Sequence, residues 1–111
     1  MAESLDQRVL TLDRQIYGDR HPSVAEDYMN LGETQKQIGM YAEAERNERL
    51  GIEITQAWYG KDNYELPIDL EGLAETLIYE HKYDEAARLL DEASKHRNGW
   101  WERHIHMLRW L

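Results

Sequence analysis

Residues 28–44, YMNLGETQKQIGMYAEA, recur 42 positions later as residues 70–86, LEGLAETLIYEHKYDEA. The two segments share a leucine followed by a small residue, then a glutamate, and later a tyrosine two positions before a glutamate–alanine pair. Tyr17-Gly18 recurs at the same offset as Tyr59-Gly60. Because matches at one fixed offset are typical of duplicated supersecondary units, we predict two copies of one structural repeat.

Within each copy the apolar residues follow helical spacing. The second copy has one apolar stripe that ends at Leu77, a break at residues 80–82 and a second stripe from Tyr83 to Ala93. The first copy has the same order, with its break at residues 37–41. Each copy therefore predicts a helix, a tight turn and a second helix, and the chain as a whole predicts an all-α fold.

Helix boundary signals agree with this division. Pro22 suits the first turn of a helix, where its missing N–H costs nothing, and the Asn63 side chain can accept a hydrogen bond from a free amide of the next helix. Gly18 and Gly60 each follow the last aromatic residue of a helix, where a positive φ favours glycine.

Composition restricts the function. The 111 residues carry a net charge of −9 and no cysteine. Most acidic residues lie between residues 23 and 96, which disfavours nucleic acid and anionic membranes as partners, although residues 97–111 are net basic. The absence of cysteine excludes disulfides and thiolate metal sites. With no apolar run near the roughly 20 residues of a membrane span and no leader at the start, we expect a cytoplasmic protein.

Tyr28, Leu31-Gly32, Tyr41 and Ala44 resemble the tetratricopeptide repeat, a helix–turn–helix unit of about 34 residues. The second copy carries the same pattern. The 42-residue offset, with the segments YGDRHPSVAEDYMNLG and GMYAEAE, resembles more specifically the long-helix variant found in kinesin light chains and many bacterial regulatory proteins.

This resemblance implies a right-handed superhelical stack of antiparallel helical hairpins with terminal capping helices. We predict a single domain, residues 1–111, with a lone helix at 4–17, hairpins at 22–59 and 64–96, and a capping helix at 100–111 after a break at Asn98-Gly99. The lone helix resembles the second helix of a preceding unit, so it is either a cap or part of a longer array. It carries an apolar stripe of Leu5, Val9, Leu12 and Ile16. Glu48 and Gly51 depart from the family, which usually has an apolar residue and an alanine there.

The family's concave face is lined by the first helix of each hairpin, which implies where a partner binds. The predicted partner-binding residues are Glu26, Met29, Asn30, Glu33, Lys36, Gln37, Ile68, Glu71, Glu75, Ile78 and Tyr79. Glutamates dominate this set. Family members that grip a terminal carboxylate use lysine, arginine and asparagine on this face, so we predict a basic protein or peptide partner instead.

A cluster of tryptophans near the end of the sequence suggests a second surface. Trp100, Met107 and Trp110 fall on a similar side of the predicted last helix, away from Trp101. Exposed aromatic residues concentrate in interfaces, so this side is a candidate surface for association with a second copy.

Catalysis and metal binding have weaker support. His104 and His106 are two residues apart, which places them on roughly opposite sides of a helix, and we expect no metal and no cofactor. Glu71 and Glu75 lie one helical turn apart, so a small metal- or carboxylate-dependent hydrolase is the alternative from another class. The sequence favours a non-enzymatic scaffold for protein–protein interaction. An oligomerisation module acting through the Trp-rich helix is the second alternative.

Overall fold

A computed structural model of the chain describes residues 2–61 and 63–104 and, within them, contains five helices and no strand. The helices are α1 (Ala2–Tyr17), α2 (Pro22–Gln37), α3 (Tyr41–Tyr59), α4 (Leu66–Tyr79) and α5 (Tyr83–His104). Each helix packs against the next one along the chain, and α2 also touches α4. The all-α prediction and the two helical hairpins, α2–α3 and α4–α5, are therefore confirmed.

The start of α2 combines two local signals. Pro22 is its first residue, and the ring of His21 caps the helix because its Nδ1 accepts a hydrogen bond from the Ser23 amide at 3.0 Å. After the ends of α1 and α3, Gly18 and Gly60 have φ of +90° and +97°, which side-chain-bearing residues rarely adopt. Both glycine positions were correctly predicted from the sequence.

Asn63 organises the loop before α4. Its Oδ1 accepts a hydrogen bond from the Glu65 amide at 3.1 Å, and its Nδ2 donates one to the Gly60 carbonyl at 2.8 Å. The side chain is buried, and the His96 ring of α5 lies 3.1 Å from the Asn63 carbonyl. The loop backbone is thus tied both to the end of α3 and to α5.

The apolar core has two parts. The larger one fills the second hairpin and its contact with α3, and consists of Ile52, Leu66, Leu70, Leu73, Ala74, Leu77, Ala86 and Ala93. The smaller one joins α1 to the first hairpin through Leu10, Val24, Ala25, Leu31 and Ile54. The stripes predicted from helical spacing in the second copy are largely buried, although Tyr83 and Leu90 are exposed.

Helix α1 contacts α2 through a mostly polar side. Asp6 accepts a hydrogen bond from the Thr34 hydroxyl at 2.6 Å, Glu3 accepts one from Gln35 at 3.1 Å, and Leu10 is the buried apolar residue of α1. The apolar stripe noted in the sequence instead faces outward. Its members are 42–69% exposed: Leu5, Val9, Leu12 and Ile16.

Asp27 is a buried carboxyl group at this α1–α2 contact. It is 8% exposed, and its Oδ2 has no hydrogen-bond donor among the described residues. Burial, reinforced by the nearby Asp13 carboxyl, raises the pKa of Asp27 to about 7. Because the pKa of Asp27 is higher in the folded chain than in the unfolded chain, raising the pH through this range lowers the free energy of unfolding.

We therefore expect Asp27→Asn to be more stable than the wild type near neutral pH. The unfolded chain ionises Asp27 from about pH 4 upward, whereas the folded chain keeps it protonated until about pH 7. The advantage of the variant should thus be absent near pH 4, grow up to about pH 7 and then level off. Urea denaturation of both proteins across this range measures it, and an advantage that does not change with pH would contradict the assignment.

The predicted break at Asn98-Gly99 is wrong. Helix α5 continues through both residues to His104. A glycine inside a helix costs only about 1 kcal/mol, which a long helix tolerates. Residues 105–111 lie outside the described part of the chain.

No helix in the described residues combines the length and apolar character needed to cross a membrane.

Candidate functional site

Helices α2 and α4, the first helices of the two hairpins, lie side by side. Near the end of α2, the Lys36 ammonium donates a hydrogen bond to the Gly72 carbonyl of α4 at 2.9 Å. Nearer the helix starts, Met29 of α2 and Ile68 of α4 line one cavity. The two helices therefore contribute to a common surface, called here the α2–α4 face.

Most residues of the predicted binding set are exposed or half-buried side chains of α2 and α4. Met29 is half-buried, and the exposed members are Glu26, Asn30, Glu33, Gln37, Ile68, Glu71, Glu75, Ile78 and Tyr79. Ile68 is 64% exposed, and Tyr79 is 50% exposed although its ring stacks on Tyr41 with 5.0 Å between centroids. The face thus presents both carboxylates and apolar side chains to solvent.

Lys36 is not part of this accessible surface, contrary to the prediction. It is only 5% exposed, and its ammonium lies 3.2 Å from Glu33 Oε2 and 3.4 Å from Glu48 Oε2. Helical spacing places the Lys36 backbone on the α2–α4 face, but the side chain is long enough for its ammonium to reach the buried Glu48 of α3. Lys36 therefore holds helices together and offers no charge to a partner.

Glu48 of α3 is the buried partner of Lys36. It is 2% exposed and also accepts a hydrogen bond from the Thr76 hydroxyl of α4. Gly32 makes room for it, since a Cβ there would lie 2.7 Å from Glu48 Cγ. Burial raises the pKa of Glu48, while Thr76 and Lys36 act in the opposite direction. This polar cluster links α2, α3 and α4.

A cavity of about 710 Å³ opens between the N-terminal ends of α2 and α4. It extends over the end of α3 and the loop before α4. The lining residues are His21, Pro22, Ser23, Glu26, Met29, Thr55, Trp58, Tyr59, Tyr64, Glu65, Ile68 and Asp69. Three of them are carboxylates, and none of the described lining residues is a lysine or arginine. The cavity is therefore acidic and aromatic.

Asp69 is the least exposed of the three carboxylates in the cavity. It is half-buried, and no described residue donates a side-chain hydrogen bond to it or pairs with it as a cation. Burial, followed by the charges of Glu65 and Glu48, raises the pKa of Asp69 to about 6. The negative charge of Asp69 near neutral pH is thus poorly compensated within the described chain.

Aromatic rings form the rim of the cavity. The His21 ring stacks on Tyr17 with 4.5 Å between centroids and contacts the Trp58 ring at 5.3 Å. Trp58 remains 56% exposed, and Tyr64 on the loop is 69% exposed. Both side chains therefore line the cavity and keep much of their surface accessible.

Part of this cavity was predicted from the sequence. Glu26, Met29 and Ile68 were predicted as binding residues, and all three line the cavity. The residues at the start of α2, the end of α3, the following loop and Asp69 of α4 were missed, although the aromatic run around Trp58 and Tyr64 was an available signal. The missed lining residues are His21, Pro22, Ser23, Thr55, Trp58, Tyr59, Tyr64, Glu65 and Asp69.

The proposed association surface is only partly covered by the structure. Trp100 lies within α5, but the placement of its side chain is not described, and Met107 and Trp110 lie outside the described residues.

Among the described residues, no group of three or more histidines and carboxylates is arranged to hold a metal ion.

Comparison with known proteins supports the repeat assignment. The family model of the tetratricopeptide repeat matches residues 1–57, which include α1 and nearly all of the first hairpin. Neither the comparison with curated proteins nor the comparison with solved structures gave a match. The family match covers just over half of the chain, and the hairpins of α2–α3 and α4–α5 repeat its architecture. The chain belongs to the tetratricopeptide repeat family.

Proposed function

We propose that this chain is a non-catalytic interaction module that binds a basic peptide segment of a protein partner on the α2–α4 face. Family membership supports a protein partner. The observation that carries the proposal is the exposure of Glu26, Glu71 and Glu75 beside Ile68 and Tyr79 on two adjacent helices. The carboxylates favour arginine or lysine, while the apolar side chains supply contact area.

The electrostatic contribution comes from several weak pairs. A solvated ion pair contributes about 0–1 kcal/mol, so no single glutamate dominates. Together they give the face a negative potential that attracts cations and repels acidic competitors.

The 42-residue offset also supports placing the chain with the long-helix variant of the family.

Selection from a display library of random linear peptides tests the proposal. We expect the enriched peptides to be rich in arginine and lysine, and their affinity to fall as salt rises above about 0.15 M, where charges more than about 8 Å apart are screened. Enrichment of acidic or uncharged peptides would contradict the proposal.

Two variants of equal net charge locate the binding surface. Asn30→Lys with Glu75→Lys adds positive charge to the α2–α4 face, and the control, Glu92→Lys with Ser94→Lys, adds the same charge to exposed positions of α5. Glu33 is left intact because it pairs with Lys36. We expect the first variant to bind a selected peptide about tenfold more weakly and the control to bind it almost as the wild type does. Equal affinities would exclude the α2–α4 face.

A further inference from the structure

The cavity at the N-terminal ends of α2 and α4 has a chemistry of its own within the α2–α4 face. We propose that it is a guanidinium pocket, which takes one arginine side chain of the bound peptide against the carboxylates of Glu65 and Asp69 and the exposed rings of Trp58 and Tyr64. This inference rests on the proposed function, because the arginine belongs to the same basic peptide.

The charge of the lining selects a cation. Glu26, Glu65 and Asp69 all line the cavity, and no lysine or arginine among the described lining residues neutralises them. Asp69 is half-buried, and the described residues give its carboxylate no side-chain hydrogen bond and no ion pair. A bound cation would compensate that charge, whereas an anion would be repelled by all three groups.

The shape and rings of the lining favour arginine over other cations. A guanidinium group is planar, stacks on aromatic faces and donates paired hydrogen bonds to a carboxylate. Trp58 and Tyr64 are 56% and 69% exposed, so their faces are accessible. The lysine ammonium has no flat face, and a quaternary ammonium cannot donate a hydrogen bond to Asp69.

The rim is held in place before any ligand binds. The Trp58 ring contacts His21, whose Nδ1 is engaged by the Ser23 amide. The backbone next to Tyr64 and Glu65 is hydrogen-bonded to the buried side chain of Asn63. These contacts reduce the ordering that binding requires and so lower its entropic cost. A volume of about 710 Å³ is within the range of ligand pockets and leaves room for residues that flank the arginine.

The test uses three blocked peptides that differ at one central residue. Each has the sequence Lys-Gly-Lys-Gly-X-Gly-Lys-Gly-Lys, where X is arginine, lysine or citrulline, the uncharged isostere of arginine. Calorimetric titration should show the arginine peptide binding at least about threefold more tightly than the lysine peptide and about tenfold more tightly than the citrulline peptide.

Variants of cavity residues then test whether the preference for arginine arises in the cavity. Asp69→Asn and Tyr64→Leu should each bring the ratio of arginine to lysine affinity close to one. The control Tyr83→Leu changes a tyrosine of similar exposure outside the cavity and should keep the ratio. Asn30→Lys with Glu75→Lys should weaken all three peptides and also keep it.

The outcomes distinguish the proposed pocket from the proposed function. If the wild type binds the three peptides equally, or if Asp69→Asn and Tyr64→Leu keep the affinity ratio, the proposal of a guanidinium pocket is wrong, whereas binding of a basic peptide on the α2–α4 face is not contradicted. If none of the peptides binds the wild type, both the pocket and the proposed function are wrong.

Discussion

Lys36→Met is expected to lower the free energy of unfolding by about 3–5 kcal/mol. Methionine replaces the aliphatic stem of lysine as far as the ε position but leaves the Glu48 carboxylate, which is 2% exposed, without its cation. It also removes the hydrogen bond from the Lys36 ammonium to the Gly72 carbonyl. An uncompensated buried charge is among the most destabilising changes that a single substitution can make.

The double variant Lys36→Met with Glu48→Met separates the charge effect from packing. Replacing both members of a buried ion pair by apolar residues of similar shape is often neutral, so we expect most of the lost stability to return. Methionine is unbranched at Cγ, as glutamate is, and therefore fits above Gly32. Thr76 keeps an acceptor in the Gly72 carbonyl at 3.3 Å.

A surface lysine provides the control for this experiment. Lys95 pairs with Asp91 at 3.0 Å, but its side chain is 77% exposed. Lys95→Met should change the stability by no more than about 0.5 kcal/mol. If urea denaturation gives Lys36→Met and Lys95→Met the same midpoint, Lys36 does not carry the buried charge described here.

Leu77→Ala is expected to cost about 2–5 kcal/mol. Leu77 is fully buried in the core of the second hairpin, among Leu73, Ala74 and Ala86. Truncation removes apolar contact and leaves a cavity that the surrounding helices can only partly fill. Leu90, 42% exposed on α5, offers the matched comparison. Leu90→Ala should cost much less, and similar thermal midpoints for the two variants would mean that the helical register of the second hairpin is wrong.

The helices of this fold could be predicted from the sequence because their signals are local. Helical spacing predicted the buried stripe that ends at Leu77, and Pro22 and Gly60 marked a helix start and a helix end. The failure at Asn98-Gly99 has the same origin, because a glycine in a helix is a modest local cost that α5 accepts.

The burial of individual polar side chains could not be predicted from helical spacing. Lys36 and Glu33 are three residues apart on α2, yet one is buried and the other exposed. The difference arises because Glu48 of α3 and Gly72 of α4 lie within reach of the Lys36 ammonium. Only the packing of three helices brings these groups together, and helical spacing carries no information about it.

Much of the cavity lining was missed for a related reason. Its lining comes from the start of α2, the end of α3, the connecting loop and the start of α4. A search along the first helix of each hairpin finds Glu26 and Ile68 but not Trp58 of α3 or Tyr64 of the loop. Residues from a helix end and a loop enter the site through tertiary packing.

A basic segment of a partner protein is proposed to bind on α2 and α4. The most direct measurement is the map of amide chemical shifts in ¹H–¹⁵N spectra as the peptide Lys-Gly-Lys-Gly-Arg-Gly-Lys-Gly-Lys is added. We predict that the largest changes fall on α2 and α4, around Asn30, Ile68 and Glu75, with little change at Glu92 and Ser94 of α5. Changes concentrated on α5, or on the exposed apolar side of α1, would contradict the claim.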